Sequence, residues 1–201
     1  MEFWRAWTAE IISCSRAYLM QKPPVGELRF QAPQEPECWE GVRKAGRFEN
    51  RAVQDLPDAD NPFTGRYAKE FYSDPEFIPE MSEDCLYLNI WVPKREDREL
   101  SGFPVAFWIH GGGFGGGYSS EMEFDGAAFC EKGVILVTVE YRVNAFGFLA
   151  HPWLTEEMKI MCPETMESSI RSWRCAGCMN ISRYSAATRK ISRYSDNLRE
   201  V

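Results

Sequence analysis

His110-Gly111-Gly112-Gly113-Phe114-Gly115-Gly116-Gly117-Tyr118 places six glycines in nine positions directly behind an apolar run. Glycine gives a loop access to conformations other residues avoid, at a cost in chain entropy, so such a concentration asks for a use. Three uses compete: cradling a phosphate, holding an oxyanion, or turning a corner. A Walker-type phosphate loop needs Lys-Ser or Lys-Thr after its last glycine. Here Gly117 is followed by Tyr118-Ser119-Ser120, and that use fails. A dinucleotide fingerprint is met formally by Gly111-Gly112-Gly113 with Gly116, but any run of glycines satisfies its spacing. A plain turn leaves unexplained why His110 leads the loop straight out of an apolar segment.

The neighbouring segments give the loop its setting. Pro104-Val105-Ala106-Phe107-Trp108-Ile109 is almost wholly apolar, which predicts a central strand buried on both faces. Val134-Ile135-Leu136-Val137-Thr138-Val139 predicts a second, and residues 125–132 between them a short helix closed by Gly133. Upstream, Leu86-Tyr87-Leu88-Asn89-Ile90-Trp91-Val92 is β-prone and stopped by Pro93, with a charged connecting turn over 94–99. Strand, glycine loop, helix and buried strand in that order predict an α/β sheet. Residues 22–66 are rich in proline, arginine and glutamine and read as an extended arm with one or two short strands. Residues 58–62 are turn material, and 67–72 form a single helical turn.

Composition narrows the function. A chain of 201 residues that is 44% hydrophobic is long enough for one domain with a sizeable core. A net charge of −7 argues against a nucleic-acid partner, and no apolar run reaches the length of a membrane span. Arg5, Glu10 and Arg16 break up the first twenty residues, which make no convincing signal peptide. Seven cysteines without a regular framework suit free thiols in a cytoplasmic chain. Cys175 and Cys178 have metal-pair spacing with Cys162 upstream, but no histidine follows them, so no metal and no cofactor are expected. Charge is unevenly spread. Residues 1–157 hold 15 Lys+Arg against 26 Asp+Glu, a net of −11, and residues 158–201 hold 8 against 4, a net of +4.

An ester's carbonyl oxygen gains negative charge as a tetrahedral intermediate forms, and bare amides aimed at it stabilise that charge. A His-Gly-Gly-Gly loop after an early strand serves this purpose in α/β-hydrolases. Four further segments stand in the same order: Pro23-Pro24-Val25-Gly26-Glu27-Leu28-Arg29-Phe30, Ser82-Glu83-Asp84-Cys85-Leu86-Tyr87-Leu88-Asn89-Ile90-Trp91, Glu140-Tyr141-Arg142 and Phe146-Gly147-Phe148-Leu149. With the glycine loop, they make residues 22–157 resemble the N-terminal part of a type-B carboxylesterase, the family that includes cholinesterases. The resemblance implies the N-terminal part of an α/β-hydrolase fold, its central sheet mostly parallel and incomplete in this chain. It implies serine-esterase acyl transfer on a small-molecule carboxylic ester. Gly112 and Gly113 would supply oxyanion-hole amides, with His110 and Gly111 as structural members of the motif. Glu83 and Arg142 would be structural, paired with each other or with neighbouring backbone. The family often pairs the cysteine equivalent to Cys85 with one that precedes Pro-Gln. Here that place reads Arg51-Ala52-Val53-Gln54, so Cys85 is expected as a free, buried thiol.

The reaction also needs a serine on a Gly-x-Ser-x-Gly elbow and a histidine base. The 201 residues hold no such elbow, and the two histidines, His110 and His151, read as structural. The chain is therefore expected to be truncated before its nucleophile and inactive. The alternative is a non-catalytic interaction module of the cholinesterase-like type. The tail offers a reason for the gap. When each codon lends its last base to the next two, residues 184–200 permit Phe-Gly-Gly-Asp-Pro-Glu-Asn-Ile-Thr-Val-Phe-Gly-Gln-Ser-Ala-Gly-Gly, which contains the elbow. Residues 14–21 permit Phe-Lys-Gly-Ile-Pro-Tyr-Ala-Lys in the same way. Residues 1–21 and 158–201 are thus expected to be frame-shifted flanks of a 22–157 esterase segment.

Overall fold

The computed structural model describes residues 12–34, 36–37, 46–93, 103–157 and 191–192. Five strands form one sheet: β1 (Ile12–Leu19), β2 (Tyr87–Pro93), β3 (Val105–Ile109), β4 (Ile135–Val139) and β5 (Ile191–Ser192), in the order β1-β2-β4-β3-β5. The helices are α1 (Gly65–Phe71), α2 (Ala127–Glu131), α3 (Asn144–Phe148) and α4 (Pro152–Glu157). Strands β3 and β4 run parallel because α2 carries the chain back between them. β5 is also parallel to β3, whereas β2 lies antiparallel to both β1 and β4. The sheet is therefore mixed, and its parallel half carries the glycine loop.

β4 is the centre of the fold, with all five of its residues buried. Alternation along it feeds both faces of the sheet. Ile135, Val137 and Val139 join Leu88 and Val105 in one cluster. Leu136 points the other way and packs with Phe48, Trp91 and Cys130 of α2. The polar residues of this centre satisfy one another: Asn89 Nδ2 donates to Thr138 Oγ1 and to Ser119 Oγ, both at 3.2 Å.

Three expectations change. β3 has only Val105 fully buried, its other four residues being half-buried. The arm over 22–64 forms, among the described residues, a 3₁₀ turn at Gly26–Leu28 and a single bridge from Arg51 to Met81, and no strand. Its prolines have no N–H to give to a ladder. α1 spans seven residues instead of one turn, and the turn that leads into it is shaped by Asn61, whose Oδ1 accepts the Phe63 and Thr64 N–H groups. Residues 12–19 form β1, which pairs with the outer edge of β2 from Ile12 opposite Pro93 to Leu19 opposite Tyr87. Cys162, Cys175, Cys178 and nearly all of the 158–201 tail lie outside the described residues. Among the described residues no helix is long and apolar enough to cross a membrane.

Candidate functional site

The glycine loop starts one residue past β3, so the sheet sets its direction. Gly115 and Gly116 both donate to the Gly112 carbonyl, at 3.1 and 3.2 Å, which folds residues 112–116 into a tight turn. Two glycines are obligatory. Gly112 has φ +116, and a Cβ there would lie 2.0 Å from Gly116 O. Gly117 has φ +89, with its Cβ 2.3 Å from Gly111 O and 2.6 Å from His110 Nδ1. Gly113 also lies in the left-handed region, at φ +59, but faces open space. Gly111, Gly112 and Gly113 are exposed, while residues 118–120 behind them are buried.

Buried side chains hold the loop from behind. The His110 ring is buried and stacks on Tyr141 with centroids 4.0 Å apart and planes 6° from parallel. Tyr141 OH donates to His110 O at 2.7 Å. His110 Nδ1 faces Gly111 O at 2.9 Å, and since a carbonyl only accepts, Nδ1 carries the proton. His110 thus braces the loop. Gln54 Nε2 donates to Gly117 O at 2.9 Å and to Ala52 O at 3.1 Å. The buried Glu140 carboxylate accepts Ser119 N–H at 2.6 Å and Ala52 N–H at 3.1 Å. Burial pushes its carboxyl up to about 8, against the pull of those donors. Asn144 N–H donates to Phe114 O at 2.6 Å and its Nδ2 to Val53 O at 2.5 Å.

In front of the loop lies an open cavity of about 510 Å³, lined by Gly112, Gln54, Tyr67, Tyr72, Glu121 and Phe124 among others. That volume suits a small molecule. Glu121 is buried in its wall, and burial pushes its carboxyl up to about 7 despite the opposing hydrogen bond from Tyr72 OH at 2.9 Å. Tyr67 OH donates to Glu123 at 2.5 Å on the same side.

Glu83 and Arg142 both line a second, much smaller cavity of about 10 Å³, with Arg29 and Cys85. Glu83 is gripped by Arg29, Nε to Oε2 and Nη2 to Oε1, each at 2.5 Å. Arg142 is buried and donates from Nη2 to Gln31 O at 3.0 Å, and burial lowers its pKa from the usual guanidinium value. Of the two pairings expected, Arg142 takes the backbone one, and Glu83 has a partner the sequence did not suggest. Cys85 is a free, buried thiol whose pKa burial raises well above the usual value. It packs in one cluster with Ala52, Leu86, Tyr141 and Val143. His151 is exposed at the start of α4, where its Nδ1 accepts Trp153 N–H at 3.3 Å. Gln54, Glu121, Tyr141 and Asn144 all touch the loop or its cavity, Glu140 holds Ser119 just behind it, and sequence reasoning gave none of them a role there. Among the described residues no three His, Cys, Asp or Glu side chains lie together so as to hold a metal ion.

Comparison with known proteins fits this geometry. The model of the carboxylesterase family matches residues 21–159. Fumonisin B1 esterase of Sphingopyxis macrogoltabida is 42% identical over 135 residues, covering 67% of this chain and 22% of that protein. Juvenile hormone esterase of Tribolium castaneum is 42% identical over 142 residues, covering 68% and 21%. Para-nitrobenzyl esterase of Bacillus subtilis (strain 168) is 40% identical over 129 residues, covering 64% and 23%. A solved structure of PNB esterase superposes with a TM-score of 0.62 at 30% identity, over 81% of this chain and 30% of that one. The chain thus spans less than a quarter of the length of these curated relatives.

Proposed function

The chain belongs to the carboxylesterase family, and from that membership we propose that residues 110–118 are the oxyanion loop of a serine-type carboxylic-ester hydrolase. Gly112 and Gly113 supply the amides. As a nucleophile adds to the ester carbon, the carbonyl oxygen becomes an oxyanion, and N–H groups already fixed in place stabilise it without reorganising. One observation carries this reading: the backbone at Gly112 and Gly117 excludes any Cβ, and the turn it enforces lies exposed beside a cavity of about 510 Å³. His110, Gly111, Glu83 and Arg142 are structural. His110 stacks behind the loop and Arg142 secures residue 31.

The substrate is a small-molecule carboxylic ester. The three relatives above are named as esterases of fumonisin B1, juvenile hormone and a para-nitrobenzyl compound, and the shared chemistry is the ester carbonyl. The 201 residues hold no Gly-x-Ser-x-Gly elbow. This polypeptide by itself therefore turns over a small chromogenic ester at no more than a residual rate, since binding and an oxyanion hole without a nucleophile–base unit leave only a small part of the catalysis. Residues 22–157 are the esterase segment, flanked by frame-shifted residues 1–21 and 158–201. Coding DNA whose codons do not spell the shifted strings rules that out. The free Cys85 thiol supports a cytoplasmic setting.

Acetate offers a direct test, because its charged oxygen stands in for the oxyanion. Titrated into the ¹⁵N-labelled chain, it is expected to shift the Gly112 and Gly113 amide resonances saturably. Shifts confined to other residues would sink the oxyanion reading.

A further inference from the structure

We infer that Asn144 is a positioning residue for the glycine loop, its carboxamide tying the turn after β4 to the main chain of Val53 while its own N–H fixes the Phe114 carbonyl. This rests on the oxyanion reading only for what the loop is used for.

Phe114 sits between Gly113 and Gly115, at φ +67, a left-handed conformation that a bulky residue rarely keeps. Such a residue persists where its surroundings over-determine it. Two contacts from α3 do so. Asn144 N–H bonds Phe114 O at 2.6 Å, and the Phe148 ring packs on the Phe114 ring with centroids 4.6 Å apart. The position of Phe114 is therefore the position of the start of α3.

Asn144 sets that start. It too is left-handed, at φ +48, and asparagine tolerates this better than most residues. Its Oδ1 accepts Phe146 N–H at 3.1 Å, shaping the first turn of α3. Its Nδ2 donates to Val53 O at 2.5 Å. Val53 is itself a fixed point, because Ala52 N–H is held by Glu140 and Gln54 grips Gly117 O. One side chain thus joins the segment that holds the loop's exit to the turn that holds its apex. Few residues could do this. Glycine keeps the φ and loses the donor. Aspartate keeps the acceptor for Phe146 but turns an oxygen towards the Val53 carbonyl.

Backbone order parameters from ¹⁵N relaxation of the full chain, for wild type, N144G and N144D, test the assignment. In wild type the amides of Gly113 and Gly115 are expected near about 0.85, the value of rigid backbone, and in both variants below about 0.6. Val137 in β4 stays rigid throughout. N144G with wild-type order at Gly113 and Gly115 would mean that φ alone matters, and would overturn the proposal. Order lost equally at Val137 would make Asn144 a general stability residue, and would also overturn it. Should N144D fail to fold, N144G decides alone. These values report rigidity whether or not an anion binds, so a failed acetate titration defeats the oxyanion reading and leaves this result intact.

Discussion

The ring of His110 lies flat against that of Tyr141, 4.0 Å away and 6° from parallel, while the Tyr141 hydroxyl donates to the His110 carbonyl at 2.7 Å. The residue that leads the glycine loop is thus held twice by the residue that follows β4 and Glu140. Y141F keeps the stacked ring and removes the hydroxyl, leaving a buried carbonyl without that donor. Denaturant unfolding should show a loss of about 0.5–1.5 kcal/mol, the worth of one such bond. An unchanged midpoint would show that the hydroxyl does not hold the loop.

The loop's glycines are unequal, and alanine should rank them. At Gly113 a methyl group meets nothing within 4 Å, so G113A costs only left-handed strain, about 1–2 kcal/mol. At Gly117 the methyl falls 2.3 Å from the Gly111 carbonyl oxygen. No rotamer change relieves a clash between a Cβ and backbone, so G117A should cost more than about 3 kcal/mol. Equal losses in thermal or denaturant unfolding would contradict the loop's geometry.

Glu121 makes the cavity pH-sensitive. Its carboxyl stands at about 7 in the folded chain against a usual value of 4.5, with burial as the main cause. Between those values the folded state holds a proton that the unfolded state has lost. The stability this contributes is complete below about pH 4.5 and is lost as pH rises through about 7. The unfolding midpoint should therefore fall from pH 5 to pH 8, and more steeply in wild type than in E121Q. Acetate binding should weaken over the same range in wild type, as the cavity wall gains a negative charge, and be flatter in E121Q. Identical slopes in the two proteins would remove Glu121 from this role.

Much of the fold could be read from local pattern. The apolar runs over 86–92, 104–109 and 134–139 became β2, β3 and β4, and Ala52 opposite Cys85 foretold the free thiol. β1 stayed hidden because the alternation of Ile12 to Ser15 breaks at Arg16, where the register with β2 also shifts, and a pairing with β2 across some seventy positions leaves no local trace. The site was legible only at its centre. Glycine announces itself by type, whereas Gln54, Glu121 and Asn144 look like ordinary polar residues until the fold meets them. Asn144 and Val53 lie 91 positions apart. Glu83 was expected beside Arg142 or backbone, yet Arg29 reaches it from 54 positions upstream with a planar, two-pronged grip.

The central claim is that Gly112 and Gly113 serve an ester's oxyanion, and a chimera tests it most directly. Residues 21–157 would replace the matching N-terminal part of para-nitrobenzyl esterase of Bacillus subtilis, which supplies the rest of its own chain. The chimera should hydrolyse a small chromogenic ester. Alanine keeps the N–H, but at position 112 its Cβ would lie 2.0 Å from Gly116 O. G112A should therefore force that amide out of line and lower kcat by about 10²–10³, the cost of losing one oxyanion donor. A cooperatively folded chimera in which G112A keeps the parent's kcat would contradict the account. A folded chimera without turnover would point instead to a non-catalytic interaction module.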